Sequence, residues 1–306
     1  MELRKESCYI CEMWKAVSSR FYQFNSNLTL TDAQKYDGEV KHGGVRNCLN
    51  SHYYGYSSAT DNSMLVGSWG KLTRVRPPRD IDVLFILPFE VYERFSTYNG
   101  NKQSAILQEV KAVLKKTYPD TDMRGDGQVV VVKFSTMSVE VVPSFKLENG
   151  KYWICDTNSG GTFTTTDPVA EKESILYSHN ENNNNLRQII KMLKTWQYQC
   201  NVPLKSFYLE LLATDFLRLC EWRKNGYFYY DWIFRDFFKY LKTQANGYII
   251  VPGTYELINI GDAWKSRCDT AYDRVLKACD FEKEDYVFLA GEEWQKIFGT
   301  QIPQNP

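Results

Sequence analysis

The sequence predicts an α+β fold in two parts, a first part built on a mixed β-sheet and a second part made of helices. Three observations carry this. Short runs rich in β-branched and aromatic residues, 80–87, 128–134 and 138–145, all fall in the first half. From residue 169 the patterning is helical almost to the end. Between them lies the polar, Gly-rich "CDTNSGGTFTTTDP", Cys155 to Pro168. The division is therefore expected at 155–168. Residues 1–168, amino-terminal helices included, form the sheet-bearing part and 169–306 the helical part.

Taken in order, residues 7–23 read as a helix that ends before the polar "NSNLTLTDAQ". Thr31 or Asp32 can cap a second helix to about Leu49, with Gly43 and Gly44 inside it. "GYSSATDNS" is a loop, and "MLVGS" contains a short strand ending at Gly67. The run 80–87 is a strand stopped by Pro88. In 103–117, Ile106, Leu107, Val110, Val113 and Leu114 share one helical face. "QVVVVKF" (128–134) is a buried strand, "STM" turns, and "SVEVVPSF" (138–145) returns antiparallel to it. Pro143, which lacks an N–H, places the end of that strand at a sheet edge. Helices follow at 169–182, 186–199, 205–223, 231–243 and 262–281, and "EEWQKIFG" closes the chain.

Composition narrows the class. The chain has 306 residues, 43% hydrophobic and 24% charged, which suits a globular protein with a substantial core. Its formal net charge is zero, so no whole-protein positive field draws in nucleic acid, although a local basic patch stays possible. Neither a signal-peptide pattern nor an eighteen-residue apolar run is present, so a cytoplasmic protein without a membrane anchor is expected. The eight cysteines follow no repeated spacing and are expected to be reduced thiols. Cys8 and Cys11 form a lone CxxC. Zinc needs a second pair or two suitably spaced histidines, so helix-packed thiols are the favoured reading.

The chemistry-bearing feature is "GSWGKLTRVRPPRDIDVLFIL", Gly67 to Leu87. Strand side chains alternate faces, so Asp80 and Asp82 point the same way, about 7 Å apart along the strand. Glu140, in "VEVV", has the same apolar–acid–apolar setting. If these strands are neighbours, three carboxylates converge. Their repulsion and desolvation raise their pKa values, and a hard divalent cation with oxygen ligands such as Mg²⁺ removes the conflict. Two such ions suit a phosphoryl transfer. Gly67 and Ser68 can form an anion nest at a tight turn, with Gly67 admitting phosphate where a Cβ would block it. Alone, a DxD or a Gly-Ser pair is commonplace. The ordered set is far more specific: strand, GS, about a dozen residues, hDhDh, then hEh before a proline.

This set resembles the polymerase-β-type nucleotidyltransferase superfamily, marked by GS, then [DE]h[DE]h, then a third acid on a later strand. Within it the chain is similar to the CD-NTases, relatives of cyclic GMP-AMP synthase and oligoadenylate synthetase. "VEVVPSF", "DTNSGGTFTTTDP", "LRQIIKMLKTW", "LKSFYLELL" and "GEEWQKIFG" support the narrower likeness, which runs from about residue 30 to 299. Glu140 is a departure, since many relatives carry Asp there. Glutamate reaches one methylene further, which bears on its share of the general-base role.

The resemblance implies a bilobed enzyme with a central cleft. Its reaction is attack of a ribose hydroxyl on the α-phosphorus of an NTP, releasing pyrophosphate. It implies catalytic and metal-binding roles for Asp80, Asp82 and Glu140, with Mg²⁺ as cofactor and Mn²⁺ able to substitute. It implies nucleotide and phosphate binding by Gly67, Ser68, Lys194 and Ser206, with Lys191 a weaker candidate. Read from the residues alone, Lys191 and Lys194 are ordinary helix charges. Arg74, Arg76 and Arg79 suit phosphate or solvent equally, and Tyr227, Tyr229 and Tyr230 are core or interface aromatics before base-stackers. The implied product is a cyclic di- or trinucleotide in bacterial anti-phage signalling, acting on a separate effector. A protein regulator or constitutive activity is favoured over activation by nucleic acid, because no long basic stripe is evident. The alternatives are transfer of nucleotides to RNA or to a protein hydroxyl, and a nucleotide-binding pseudoenzyme scaffold.

Overall fold

The structure is a computed structural model describing residues 13–306. The expected helix at 7–23 lies partly outside the described residues, and the Cys8–Cys11 pair lies wholly outside them. The chain divides into two compact units. One comprises Leu30–Lys172 with Pro252–Thr254. The other comprises the described residues up to Thr29, Glu173–Val251 and Tyr255–Pro306.

The first unit is built on seven strands: β1 (Ser63–Leu65), β2 (Asp80–Ile86), β3 (Asp122–Asp126), β4 (Val129–Lys133), β5 (Ser138–Lys146), β6 (Tyr152–Asp156) and β7 (Thr162–Thr166). The order is β1-β2-β5-β4-β3, with β6 joining β5 to β7. Only β2 and β5 run parallel, and every other pairing is antiparallel, so the sheet is mixed as expected. Helix α1 (Val17–Leu28) belongs to the other unit and is described with it. Helix α2 (Asp32–Tyr53) starts on a capping box, in which Thr31 Oγ1 accepts from the Gln34 N–H and Gln34 Oε1 accepts from the Thr31 N–H. It continues past Leu49 because Asn50, fully buried, ties the following loop back by donating to the carbonyls of Ser58 and Asp61. A one-turn helix α3 (Gly67–Gly70), α4 (Phe89–Ser96) and α5 (Lys102–Thr117) complete the unit. The α5 face named from sequence is buried against the sheet core of Ile81, Val83, Phe85, Val130, Val139 and Val141.

Three expectations are corrected. β5 is a central strand, not an edge. Pro143 is tolerated because it lies between the stretch paired to β4, which ends at Val141, and the stretch paired to β6, which begins at Ser144. The segment 155–168, read as a connection, instead holds the end of β6 and all of β7. Trp153 of β6 and Phe163 of β7 stack with ring centroids 5.6 Å apart, a cross-strand packing that the Gly-rich turn between them masks in the sequence. The division of the chain falls after Lys172, inside α6 (Pro168–Glu181), and α1 groups with the helical unit.

The reason for the last point is aromatic. In the helical unit, Phe21 and Phe24 of α1 meet Tyr230 and Phe234 of α9 (Tyr230–Lys242) and Trp294 and Phe298 of α11 (Val287–Phe298). Leu28, the last residue of α1, is also fully buried, so the helix continues through the polar stretch at which it was expected to stop. Arg20, fully buried among them, donates to Glu282 Oε1 at 2.7 Å and to the carbonyls of Val287, Pro303 and Gln304. The unit also holds α7 (Asn185–Gln199), α8 (Ser206–Leu219), a hairpin of β8 (Tyr248–Ile250) with β9 (Leu257–Asn259), and α10 (Lys265–Lys283). Helix α8 is thus shorter than the 205–223 its sequence predicts, and the hairpin lies in a stretch with no predicted element. The helix stops at Leu219 because Cys220 is extended. Among the described residues no helix is long and apolar enough to cross a membrane.

Candidate active site

Strand register settles which acids meet. β2 and β5 are parallel with Asp80 opposite Ser138 and Asp82 opposite Glu140. Directly opposed residues point to the same face, so Asp82 and Glu140 are immediate neighbours there and Asp80 joins them two residues along β2. Their neighbours Ile81, Val139 and Val141 turn the other way into the core, which fixes the orientation of the acids. The Glu140 carboxyl is pushed up to about 7. Burial is the main cause, followed by the like charges of Asp82, Asp80 and Asp126, with Arg124 acting the other way. Among the described residues no three His, Cys, Asp or Glu side chains close on one point tightly enough to hold a metal by themselves.

The Gly67–Ser68 turn stands against the same acids. The Val66 N–H donates to the Asp82 carbonyl at 3.0 Å, which pins the turn to β2. Gly67 has φ +54°, and a Cβ built there would lie 2.7 Å from Asp82 Cγ and closer still to one carboxylate oxygen. Only glycine fits this approach. The Gly70 N–H bonds to the Val66 carbonyl, and the Thr73 N–H to the Ser68 carbonyl at 2.9 Å. Trp69, buried, anchors the turn from behind, with the Arg74 guanidinium 4.7 Å from its ring centroid. Arg74 is thus half-buried on Trp69, whereas Arg79 is exposed.

Two residues beside the acids escaped the sequence reading. Arg124 of β3 is opposite Val131 of β4, and Val131 is opposite Glu140, so Arg124 shares the acids' face. It pairs with Asp126 at 3.3 Å. The strand "DMRGD" contains one apolar residue and a glycine. Its alternation of Asp122, Arg124 and Asp126 was the only available signal.

The remaining candidates belong to the helical unit. Lys194 of α7 donates to Glu210 Oε1 of α8 at 2.6 Å, with both side chains largely buried, and Ser206 Oγ donates to Gln197 Oε1 at 2.6 Å. Two helices that pack together therefore carry both residues. Tyr230 is a core residue, fully buried with its hydroxyl donating to Asn185 Oδ1 at 2.8 Å, and Tyr229 stacks on Trp222.

The family described as the Second Messenger Oligonucleotide or Dinucleotide Synthetase domain, SMODS, matches residues 16–180, more than half of the chain. The chain belongs to this family. This SMODS protein is a nucleotidyltransferase of the CD-NTase group, as the motifs implied. It is 21% identical over 276 residues to a probable cyclic nucleotide synthase of Bacillus cereus (strain VD146), covering 78% of this chain and 81% of that one. It is 25% identical over 243 residues to the CBASS oligonucleotide cyclase CdnC of Escherichia coli (strain KTE188), covering 74% and 73%. Among solved structures, E. coli MS115-1 CdnC with ATP superposes with a TM-score of 0.68 at 18% identity, covering 93% of this chain and 98% of that chain. The same CdnC has been solved in complex with HORMA-deltaN, at a TM-score of 0.66. At these identities the likeness to the solved structures concerns the fold.

Proposed function

We propose that this SMODS nucleotidyltransferase converts nucleoside triphosphates into a cyclic di- or trinucleotide second messenger in bacterial anti-phage signalling, with Mg²⁺ as cofactor. The observation that carries the reading is the Asp82–Glu140 pair on adjacent parallel strands, with Asp80 on the same face and the Gly67 backbone against Asp82. Oxygen-donor carboxylates on one sheet face suit a hard divalent cation whose shell water and substrate phosphate would complete, and such an ion would offset the charge of a Glu140 carboxylate whose pKa burial first, and Asp82 and Asp80 next, push upward.

In this reading Asp80, Asp82 and Glu140 are the metal ligands. Magnesium bound there supplies charge neutralisation and alignment of phosphate oxygens. Gly67 and Ser68 position the donor triphosphate through backbone N–H groups and the serine hydroxyl. Glu140 takes up the proton of the attacking ribose hydroxyl as that oxygen bonds to the α-phosphorus and pyrophosphate leaves. Lys194 and Ser206 are proposed as phosphate-binding residues of α7 and α8, Lys194 exchanging Glu210 for phosphate. A protein regulator is favoured by the HORMA complex of E. coli CdnC. The product acts on a separate effector.

The test is mass spectrometry of the products made from mixed ATP, GTP, CTP and UTP with Mg²⁺, after phosphatase treatment. A phosphatase-resistant cyclic di- or trinucleotide is the expected result. A linear extended product, or nucleotides added to RNA or protein, would select the transferase alternative. No product from a protein that binds NTPs would select the scaffold.

A further inference from the structure

Helix α2 contains a glycine, Gly38, that helix propensity alone disfavours, since alanine suits a helix interior better. Its surroundings supply the reason. A Cβ built on Gly38 would lie 3.0 Å from Cζ2 and 3.1 Å from Cζ3 of Trp69, and closer still to the Cη2 atom between them. The far edge of the Trp69 indole therefore rests on the bare backbone of α2. His42, one turn further along α2, meets the same ring edge-on at 6.2 Å, and the Arg74 guanidinium sits 4.7 Å from the ring centroid. The ring is held by three side chains or backbone segments and is 4% exposed. Trp69 directly follows Ser68, and the turn that carries both is short and internally bonded, with the Lys71 N–H donating to the Gly67 carbonyl at 3.1 Å. Such a turn has little slack to absorb a displacement of its own indole.

We propose that Gly38 of α2 is the seat of Trp69, and that Trp69 is a positioning residue that sets the Gly67–Ser68 turn at the distance from Asp82 required to hold the donor triphosphate. The inference rests on the proposed function and adds a residue pair outside the three acids that governs NTP affinity. An alanine methyl at position 38 drives the ring outward by more than 1 Å to reach ordinary carbon–carbon separation. The ring carries Ser68 with it.

The experiment is calorimetric binding of α,β-methylene-ATP with Mg²⁺ to four proteins: wild type, Gly38→Ala, Trp69→Phe and the double variant. Gly38→Ala weakens binding at least about tenfold, since an ångström-sized misplacement can cost up to about a hundredfold. In the Trp69→Phe background, where no indole edge reaches α2, the same substitution changes affinity by less than about twofold. A purely structural role would lower the thermal midpoint and the active fraction while leaving the dissociation constant in place, so midpoints are measured alongside. Unchanged affinity in Gly38→Ala, or an equal loss in both backgrounds, overturns the seat alone. Wild-type protein that binds no α,β-methylene-ATP overturns the proposed function and the seat with it.

Discussion

Glu140 is where the sheet concentrates its electrostatic tension. Its carboxyl sits at about 7 instead of near 4.5, so between those values the folded chain holds a proton that the unfolded chain has released. Stability contributed at this position therefore falls as pH rises from about 4.5 to about 7, and the full penalty persists above that window. After solvent screening the penalty is on the order of 1–2 kcal/mol. In metal-free buffer, Glu140→Gln is expected to raise the thermal midpoint at pH 8 and to leave it unchanged at pH 4. An equal gain at both pH values would contradict the electrostatic origin. Gly67 makes a steric counterpart. Its left-handed φ and its contact with the Asp82 carboxylate leave no room for a methyl group. Gly67→Ala is expected to cost about 1–3 kcal/mol in urea unfolding and to reduce NTP turnover at least tenfold. Wild-type turnover from that variant would show that the turn does not approach the acids so closely.

At the level of elements, the helices close on buried polar anchors as well as apolar faces. Arg20 ties α1 to Glu282 of α10 and to the carbonyls around α11 and the last residues. Arg20→Met leaves the Glu282 carboxylate buried without its cation and is expected to lower unfolding free energy by about 3–5 kcal/mol, with Glu282→Gln in the same chain recovering much of the loss. A loss below about 0.5 kcal/mol for Arg20→Met, in the range of an exposed pair, would contradict the burial of this ion pair. The strands that build the site, β2, β4 and β5, were legible in the sequence because their Val and Ile runs are bounded by Pro88 and by "STM". So were the three acids, because an acid between buried apolar neighbours on a strand is conspicuous. β3 was not legible, being short and charged. Neither was the central place of β5, because Pro143 signals an edge unless the change of neighbour from β4 to β6 is known. Trp69 and Gly38 are 31 positions apart and reveal their contact only when α2 and the turn are placed together.

On the scale of the whole molecule, the described chain forms two compact units. One carries Asp80, Asp82, Glu140 and the Gly67–Ser68 turn, and the other carries the Lys194–Glu210 and Ser206–Gln197 pairs on two packed helices. Phe21, Tyr230, Phe234, Trp294 and Phe298 meet in the core of the second unit, so α1 is part of that unit despite preceding the sheet in the chain. The zero net charge fits a substrate held by a local constellation, not by a global field. The proposed function requires Asp80, Asp82 and Glu140 to act together on a magnesium-bound nucleoside triphosphate. The most direct measurement is pyrophosphate release from ATP and GTP with Mg²⁺, comparing wild type with Asp80→Ala/Asp82→Ala protein of matched thermal midpoint. Release by the wild type and loss of at least about a thousandfold in the variant are expected, the scale of removing essential transition-state stabilisation. Turnover at the wild-type level in the folded double variant would contradict that requirement.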